Sequence, residues 1–130
     1  MPREIVMVGV SAGGLDAVCT LLRGIPEDFR MAIVVVQHRS KDSDALCEVL
    51  QDCTPLPIQE ATDKASAEPG NVYLAPPDYH TLLEPGYFSL STDAPEMYSR
   101  PSIDVAFEGA ADAYGARAVR VVLTRANPDG

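Results

Sequence analysis

Short apolar runs alternate along this chain with segments whose apolar residues recur at helical spacing. Residues 5–10 begin with an apolar run that predicts a buried strand, and the β-branched run at 31–36 predicts a strand buried on both faces. Residues 15–22 and 46–53 carry apolar side chains at helical spacing, which predicts two helices. Strands that alternate with helices in this way indicate βαβ units and a mostly parallel sheet.

The second half of the chain predicts shorter strands and one antiparallel element. Residues 56–59 and 71–75 each read as a short strand. Residues 81–90 predict a β-hairpin with its turn at Pro85-Gly86, since proline followed by glycine is typical of a tight turn. Residues 119–123 predict a last buried strand.

A third helix is predicted to begin near Ser102, whose side chain can cap it, while Asp104 suits the positive end of the helix dipole. The apolar face of this helix is expected to include Val105, Phe107, Ala110 and Ala111. Together the elements predict a doubly wound α/β fold. It comprises a mostly parallel sheet with helices on both faces and a β-hairpin insertion.

Three residues with complementary chemistry each lie just past the end of a predicted buried strand. Ser11 follows the first strand, His38 follows the second, and Asp129 comes after the last. In mostly parallel sheets, binding and catalytic sites form outside the carboxyl ends of the strands. If these strands run parallel, the three residues lie at one edge of the sheet, and this inference depends on no motif.

This trio is the set of groups that nucleophilic catalysis by serine requires. A serine hydroxyl is a weak nucleophile until a base takes its proton, and histidine suits that task near neutral pH. A carboxylate on the other ring nitrogen orients the imidazole and stabilises its charged form. Ser11 stands on a sharp strand-to-helix turn, where backbone N–H groups and the start of the helix can stabilise a developing negative charge. The pattern therefore favours acyl transfer.

Each member of the trio also has a simpler structural interpretation. Ser11 in a glycine-rich turn is typical of a helix cap or of a loop that cradles a phosphate with Gly13 and Gly14. His38 can be structural, and Asp129 lies in Asn-Pro-Asp-Gly, a turn sequence. A nucleotide- or phosphate-binding domain therefore stays an alternative. It is weakened because the chain has neither G-x-G-x-x-G nor the lysine of a P-loop.

Two further polar residues are candidates for substrate contacts. His80 follows Pro77-Asp78-Tyr79, and it either lines the same cleft or caps the hairpin. Arg100 precedes the third helix, and it either binds an acidic substrate or is solvated. The sequence leaves both alternatives open.

Composition narrows the class of partner. The 130 residues, 46% of them hydrophobic, suffice for one domain with a core. A formal net charge of −9 disfavours nucleic acid or an anionic membrane as the main partner. No segment is long and apolar enough to span a bilayer, and residues 1–4 lead directly into a strand without the hydrophobic region of a signal peptide. We therefore expect a cytoplasmic protein that does not insert into the membrane.

The three cysteines, Cys19, Cys47 and Cys53, form no C-x-x-C pair. An odd number of cysteines in a protein expected to be cytoplasmic predicts free thiols that act as small packing residues. No histidine lies near them at ligand spacing, so no metal site is expected.

Five motifs, in consistent order and spacing, resemble those of a known family. They are Gly9-Val10-Ser11-Ala12-Gly13-Gly14, Val35-Val36-Gln37-His38, Val72-Tyr73-Leu74-Ala75-Pro76-Pro77-Asp78-Tyr79-His80, Arg100-Pro101-Ser102-Ile103-Asp104, and Val121-Val122-Leu123-Thr124 with Asp129-Gly130. Through these motifs nearly the whole chain resembles the catalytic domain of the chemotaxis receptor protein-glutamate methylesterases of the CheB type. Five separate motifs make this resemblance far more specific than one glycine-rich loop.

The resemblance implies a doubly wound serine hydrolase with Ser11 as the nucleophile, His38 as the base and Asp129 as the orienting acid. Enzymes of this family hydrolyse γ-glutamyl methyl esters on the cytoplasmic helices of methyl-accepting chemotaxis receptors. They also deamidate certain receptor glutamines, and they need no cofactor.

The resemblance also indicates the remaining residues of the site, the extent of the domain and an alternative function. Backbone N–H groups near Ala12 and Ala126 would form the oxyanion hole, with Gly13, His80 and Arg100 as further residues of the oxyanion or substrate site. We expect residues 1–130 to form one such domain, incomplete at its C-terminus. The alternative is an inactive fragment or descendant that acts as a receptor-binding module.

Overall fold

The computed structural model of the chain describes residues 4–10, 15–37, 46–77, 79–91 and 103–123. Its helices and strands follow the predicted order. They are β1 (Ile5–Val10), α1 (Leu15–Arg23), β2 (Ala32–Gln37), α2 (Leu46–Gln51), β3 (Ile58–Glu60), β4 (Val72–Leu74), β5 (His80–Glu84), β6 (Tyr87–Ser91), α3 (Ile103–Tyr114), a short 3₁₀ helix (Gly115–Arg117) and β7 (Ala118–Leu123). Ser102, the predicted helix cap, lies outside the described residues.

Five of the strands form one parallel sheet in the order β3-β4-β2-β1-β7. The strands β5 and β6 form a separate antiparallel hairpin, with Glu84 paired to Tyr87 across the predicted turn. The predicted fold, a mostly parallel sheet with helices and a β-hairpin insertion, is confirmed. The helices α1 and α2 cover one face of the sheet, and α3 covers the other.

Two apolar clusters fill the space on either side of the sheet. One cluster joins the sheet to α1 and α2 and contains Val18, Leu22 and Leu50. The other joins it to α3 and the hairpin and contains Ala106 and Phe88. Side chains of β2 enter both clusters in alternation, because successive residues of a strand point to opposite faces. The expectation that β2 is buried on both faces is therefore confirmed.

The hairpin lies close against α3 on this second face. A Cβ atom on Gly109 would lie 3.2 Å from the backbone nitrogen of Leu83, so a small residue lets α3 approach β5 closely. Phe88 on β6 is fully buried, and its ring centroid lies 4.8 Å from that of Tyr73 on β4. The hairpin is thus part of the core and not a peripheral appendage.

The apolar face of α3 is rotated relative to the prediction. Ala106, Ala110 and Tyr114 are buried, and Phe107 packs against the same cluster, as expected for positions three or four residues apart. The prediction was right for Phe107 and Ala110 but wrong for Ala111, which is exposed. One helical step of about 100° carries Ala111 from the buried stripe to the solvent side. Val105, also predicted for this face, is half-buried.

The prediction that the last strand is buried was wrong, because no residue of β7 is fully buried and Arg120 and Val122 are exposed. Val121 and Leu123 pack against the cluster on the α1 side, whereas Val122 on the opposite face is 62% exposed. Within the described residues β7 is an edge strand paired only to β1, so one of its faces has little cover. An apolar run does not reveal whether its strand is central or at an edge.

The prediction of free thiols was wrong for two of the three cysteines. Cys19 on α1 and Cys53 after α2 form a disulfide, with Cα atoms 5.4 Å apart. Cys47 takes no part in it. The two helices pack side by side on one face of the sheet, which brings together residues that are 34 positions apart in the chain.

Candidate active site

The three strands that precede the predicted catalytic residues end side by side. In the parallel register, Val10 of β1 pairs with Gln37 of β2 and with Leu123 of β7. Positions 11, 38 and 124 therefore each follow one of three adjacent strand ends. The condition on which the sequence inference depended, that these strands run parallel, is confirmed.

Most of the predicted site residues lie outside the described part of the chain, and their roles stay predictions. They are Ser11, Ala12, Gly13, His38, Arg100, Ala126 and Asp129. The described residues give the frame from which those segments leave the sheet.

Gly9 lets α3 approach this edge of the sheet. A Cβ atom on Gly9 would lie 2.6 Å from Cγ2 of Ile103 and 3.1 Å from Cζ of Phe107, so any larger residue would force the side chain of Ile103 at the start of α3 to shift. In the sequence, Gly9 stands out only as part of the motif that contains Ser11. A glycine inside a predicted strand often marks such a close approach, and this signal was available.

The helices α1 and α3 turn their amino ends toward this edge. α1 begins at Leu15, soon after β1 ends, and α3 begins at Ile103, which packs near Gly9. The partial positive charge at a helix amino end favours negative charge nearby. Asp16 and Asp104 lie in the first turns of the two helices, where their carboxylates interact favourably with this partial positive charge. The edge is suited to an anionic intermediate.

Gln37 is a polar residue at this edge that sequence reasoning did not single out as functional. Its side-chain Oε1 is buried and accepts no hydrogen bond from the part of the chain that the structure describes. A buried acceptor in that condition favours a donor group brought by a substrate or by a neighbouring segment. The sequence feature that could have identified Gln37 is its position as the polar residue at the end of an apolar strand.

His80 is the one predicted site residue that the structure describes. It is the first residue of β5, pairs with Ser91, and is only 1% exposed. The chain reaches it from the carboxyl end of β4, where the Ala75 N–H donates to the Val35 carbonyl at 2.9 Å. His80 is thus the first residue of the hairpin, and its side chain is enclosed by protein. Tyr79 beside it is 44% exposed.

The described residues contain no group of three or more His, Cys, Asp or Glu side chains placed to hold a metal ion. Nor does any described helix combine the length and apolar character needed to cross a membrane.

Comparison with known proteins decides the family. The family model for the CheB methylesterase domain matches residues 6–130. The chain belongs to the CheB methylesterase family. The resemblance carried by the five sequence motifs is therefore confirmed.

Curated relatives agree with this family. A Leptospira interrogans protein provisionally named protein-glutamate methylesterase/protein-glutamine glutaminase is 42% identical over the whole chain, which spans 68% of that protein. A Nitrosospira multiformis protein with the same enzyme name is 37% identical over 99% of the chain, which spans 37% of it. The chain thus corresponds to about two thirds of one relative and little more than a third of the other.

A solved structure supports the fold of the family as well. The crystal structure of the Thermotoga maritima CheB methylesterase catalytic domain is similar to this chain with a TM-score of 0.88 at 30% sequence identity. The match covers 98% of this chain and 70% of that one.

Proposed function

We propose that this chain is catalytic-domain sequence of a protein-glutamate methylesterase that demethylates chemoreceptors and also deamidates receptor glutamines. The observation that carries the proposal is the register of Val10 with Gln37 and Leu123, from which the segments bearing Ser11 and His38 leave adjacent strands. Relatives named protein-glutamate methylesterase/protein-glutamine glutaminase support this choice of substrate.

The proposed reaction runs through an acyl-enzyme. His38 takes the proton of Ser11 as its hydroxyl oxygen attacks the glutamyl ester carbonyl, and the tetrahedral intermediate collapses with loss of methanol, which receives that proton. His38 then takes a proton from a water molecule that attacks the acyl-enzyme, and it returns that proton to the Ser11 oxygen as the bond to the acyl group breaks and the glutamate carboxylate is released. Asp129 orients His38 and stabilises its charged form.

Backbone donors stabilise the oxyanion in this proposal. The N–H groups near Ala12, Gly13 and Ala126 would hold the negative oxygen of the tetrahedral intermediate. The amino end of α1, which starts at Leu15, adds a favourable dipole. Loss of one such donor lowers the rate of a serine hydrolase by about 10²–10³-fold.

Recognition of the receptor is assigned to residues around this edge. Arg100 would contact acidic positions of the cytoplasmic receptor helices. In this proposal the protein acts in the cytoplasm and does not insert into the membrane. His80 is buried, so in this proposal it supports the wall of the substrate cleft from within.

A fluorophosphonate probe tests the proposal, because it labels serines that a neighbouring base activates. We expect covalent labelling that disappears in Ser11→Ala and persists in Ser66→Ala, a control at an exposed serine of the loop before β4. Methanol release from methylated receptor should follow the same pattern.

The same experiment separates the alternative. A folded protein that captures receptor but is neither labelled nor able to release methanol would be a receptor-binding module. That result would overturn the enzymatic proposal.

A further inference from the structure

A pocket of about 560 Å³ opens at the amino end of the parallel sheet, opposite the candidate active site. Glu4 lies directly before β1, Arg30 lies in the α1–β2 connection, and Tyr114 and Arg117 lie at the end of α3. Pro85 in the hairpin turn is part of the apolar wall. The volume is in the range of small-molecule sites, which combine apolar walls with a few convergent polar groups.

The guanidinium of Arg117 is fixed by three hydrogen bonds, and some of its N–H groups remain unused. One terminal nitrogen donates to Oε2 of Glu4 at 3.0 Å, the other donates to the Ala113 carbonyl at 3.4 Å, and Nε donates to the Tyr114 carbonyl at 3.3 Å. The guanidinium also lies 5.6 Å from the centre of the Tyr114 ring. A guanidinium carries five N–H groups, so two stay available while the group itself is oriented.

Two further donors border the pocket. Arg30 is exposed and forms no ion pair or hydrogen bond with the part of the chain that the structure describes. The hydroxyl oxygen of Tyr114 accepts the Gly86 N–H at 3.0 Å, and its own proton has no acceptor among the described residues. The side-chain groups with unused capacity are therefore mostly donors.

The charge of the pocket has the opposite sign to that of the protein. The charged residues of the lining are two arginines and one glutamate, which gives the pocket a formal charge of +1. The whole chain, in contrast, carries a formal net charge of −9. Glu4 is already paired with Arg117, so Arg30 supplies the uncompensated positive charge. An uncompensated positive charge at the edge of a pocket attracts an anion.

We propose that this pocket binds a small oxyanion, a molecule with a carboxylate or phosphate group, through Arg30, the spare N–H groups of Arg117 and the Tyr114 hydroxyl. Oxyanions accept several hydrogen bonds at once, and arginine matches their planar or tetrahedral edges with paired donors. The apolar wall accommodates the carbon part of an organic anion. The site is independent of the candidate active site, because the two lie at opposite ends of the strands.

Titration calorimetry with inorganic phosphate and, separately, with succinate tests the proposal at constant ionic strength set by chloride. At least one anion should bind at one site, and the one that binds identifies the preferred headgroup. Arg30→Ala should weaken binding roughly 10- to 100-fold, the range expected on removing a charged hydrogen-bond partner. Arg23→Ala is the matched control, since Arg23 is an exposed arginine of α1 outside the pocket.

Tyr114→Phe provides a second variant, because it keeps the ring beside Arg117 and removes the hydroxyl, which would donate to the anion and which accepts the Gly86 N–H. Weaker binding in Tyr114→Phe and Arg30→Ala, with Arg23→Ala unchanged, supports the site. Binding of neither anion, or equal loss in Arg23→Ala and Arg30→Ala, overturns it. Fluorophosphonate labelling should be the same in Arg30→Ala as in the unmodified protein, so failure of this proposal is distinguishable from failure of the proposed function.

Discussion

Val10 and Gln37 are register partners at the last positions of β1 and β2. The chain therefore leaves two neighbouring strands at adjacent points, and the next residues in sequence are Ser11 and His38. A nucleophile and a base that follow paired strand ends need only short segments to meet. The main testable consequence concerns His38.

Replacement of His38 by glutamine should lower the rate of methanol release by about 10²–10⁴-fold, the usual contribution of a general base. Glutamine is similar in size and polar but cannot take the proton at neutral pH. Methanol release from methylated receptor measures the rate, and thermal unfolding checks that the fold persists. An unchanged rate in a folded His38→Gln variant would exclude His38 as the base.

Gly9→Ala should destabilise the protein by about 1–3 kcal/mol, because its methyl group would meet Ile103 at 2.6 Å. Gly24→Ala is the matched control, since its nearest neighbouring atom would lie at 3.5 Å, an ordinary contact distance. Urea unfolding measures both changes. In the Ile103→Ala background the cost of Gly9→Ala should shrink, and equal costs in the two backgrounds would contradict the contact.

Two buried threonines should respond to valine in opposite directions. Thr81 is fully buried and its Oγ1 has no hydrogen-bond partner in the described part of the chain, so Thr81→Val should stabilise the protein by about 1 kcal/mol. Thr54 is also buried, but its Oγ1 accepts the Leu56 N–H at 3.1 Å. Thr54→Val leaves that donor unpaired and should cost about 1–2 kcal/mol. Thermal unfolding that moved both variants in the same direction would contradict this difference.

Reduction of the Cys19–Cys53 disulfide should lower the free energy of unfolding by about 3–4 kcal/mol. The bond closes a loop over a sequence separation of 34 residues, and the chain-entropy model assigns this magnitude to such a loop. Urea unfolding with and without a reducing agent measures the change. Cys47→Ser should keep the sensitivity to reduction, and Cys19→Ser should abolish it. A protein that is equally stable in both conditions would argue against the bond.

The sequence predicted the positions of the strands better than their burial in the folded protein. The run at 31–36 predicted β2 because five β-branched or small apolar residues in succession suit a strand buried on both faces. The same reasoning described β7 as buried, yet Val122 is 62% exposed at the sheet edge. Local composition is alike in central and edge strands, and only the neighbours in space distinguish them.

In the candidate site, too, features that depend on strand order could be predicted, and features that depend on packing could not. Ser11, His38 and Asp129 were predicted at one edge because the carboxyl ends of parallel strands lie together, and this argument needs only strand order and direction. Gln37 was missed as a functional candidate because the absence of a partner for its Oε1 depends on what packs around it.

By itself, the sequence determined the order of helices and strands, the α/β class and the chemistry available at the strand ends, because hydrophobic periodicity and turn residues act over a few neighbouring positions. Tertiary structure alone decided which distant residues meet. It brought Cys19 to Cys53, seated Ile103 against Gly9, and gathered Glu4, Arg30 and Arg117 around the pocket at the amino end of the sheet. Such contacts arise from the packing of helices on the sheet between positions far apart in the chain, which no local pattern encodes.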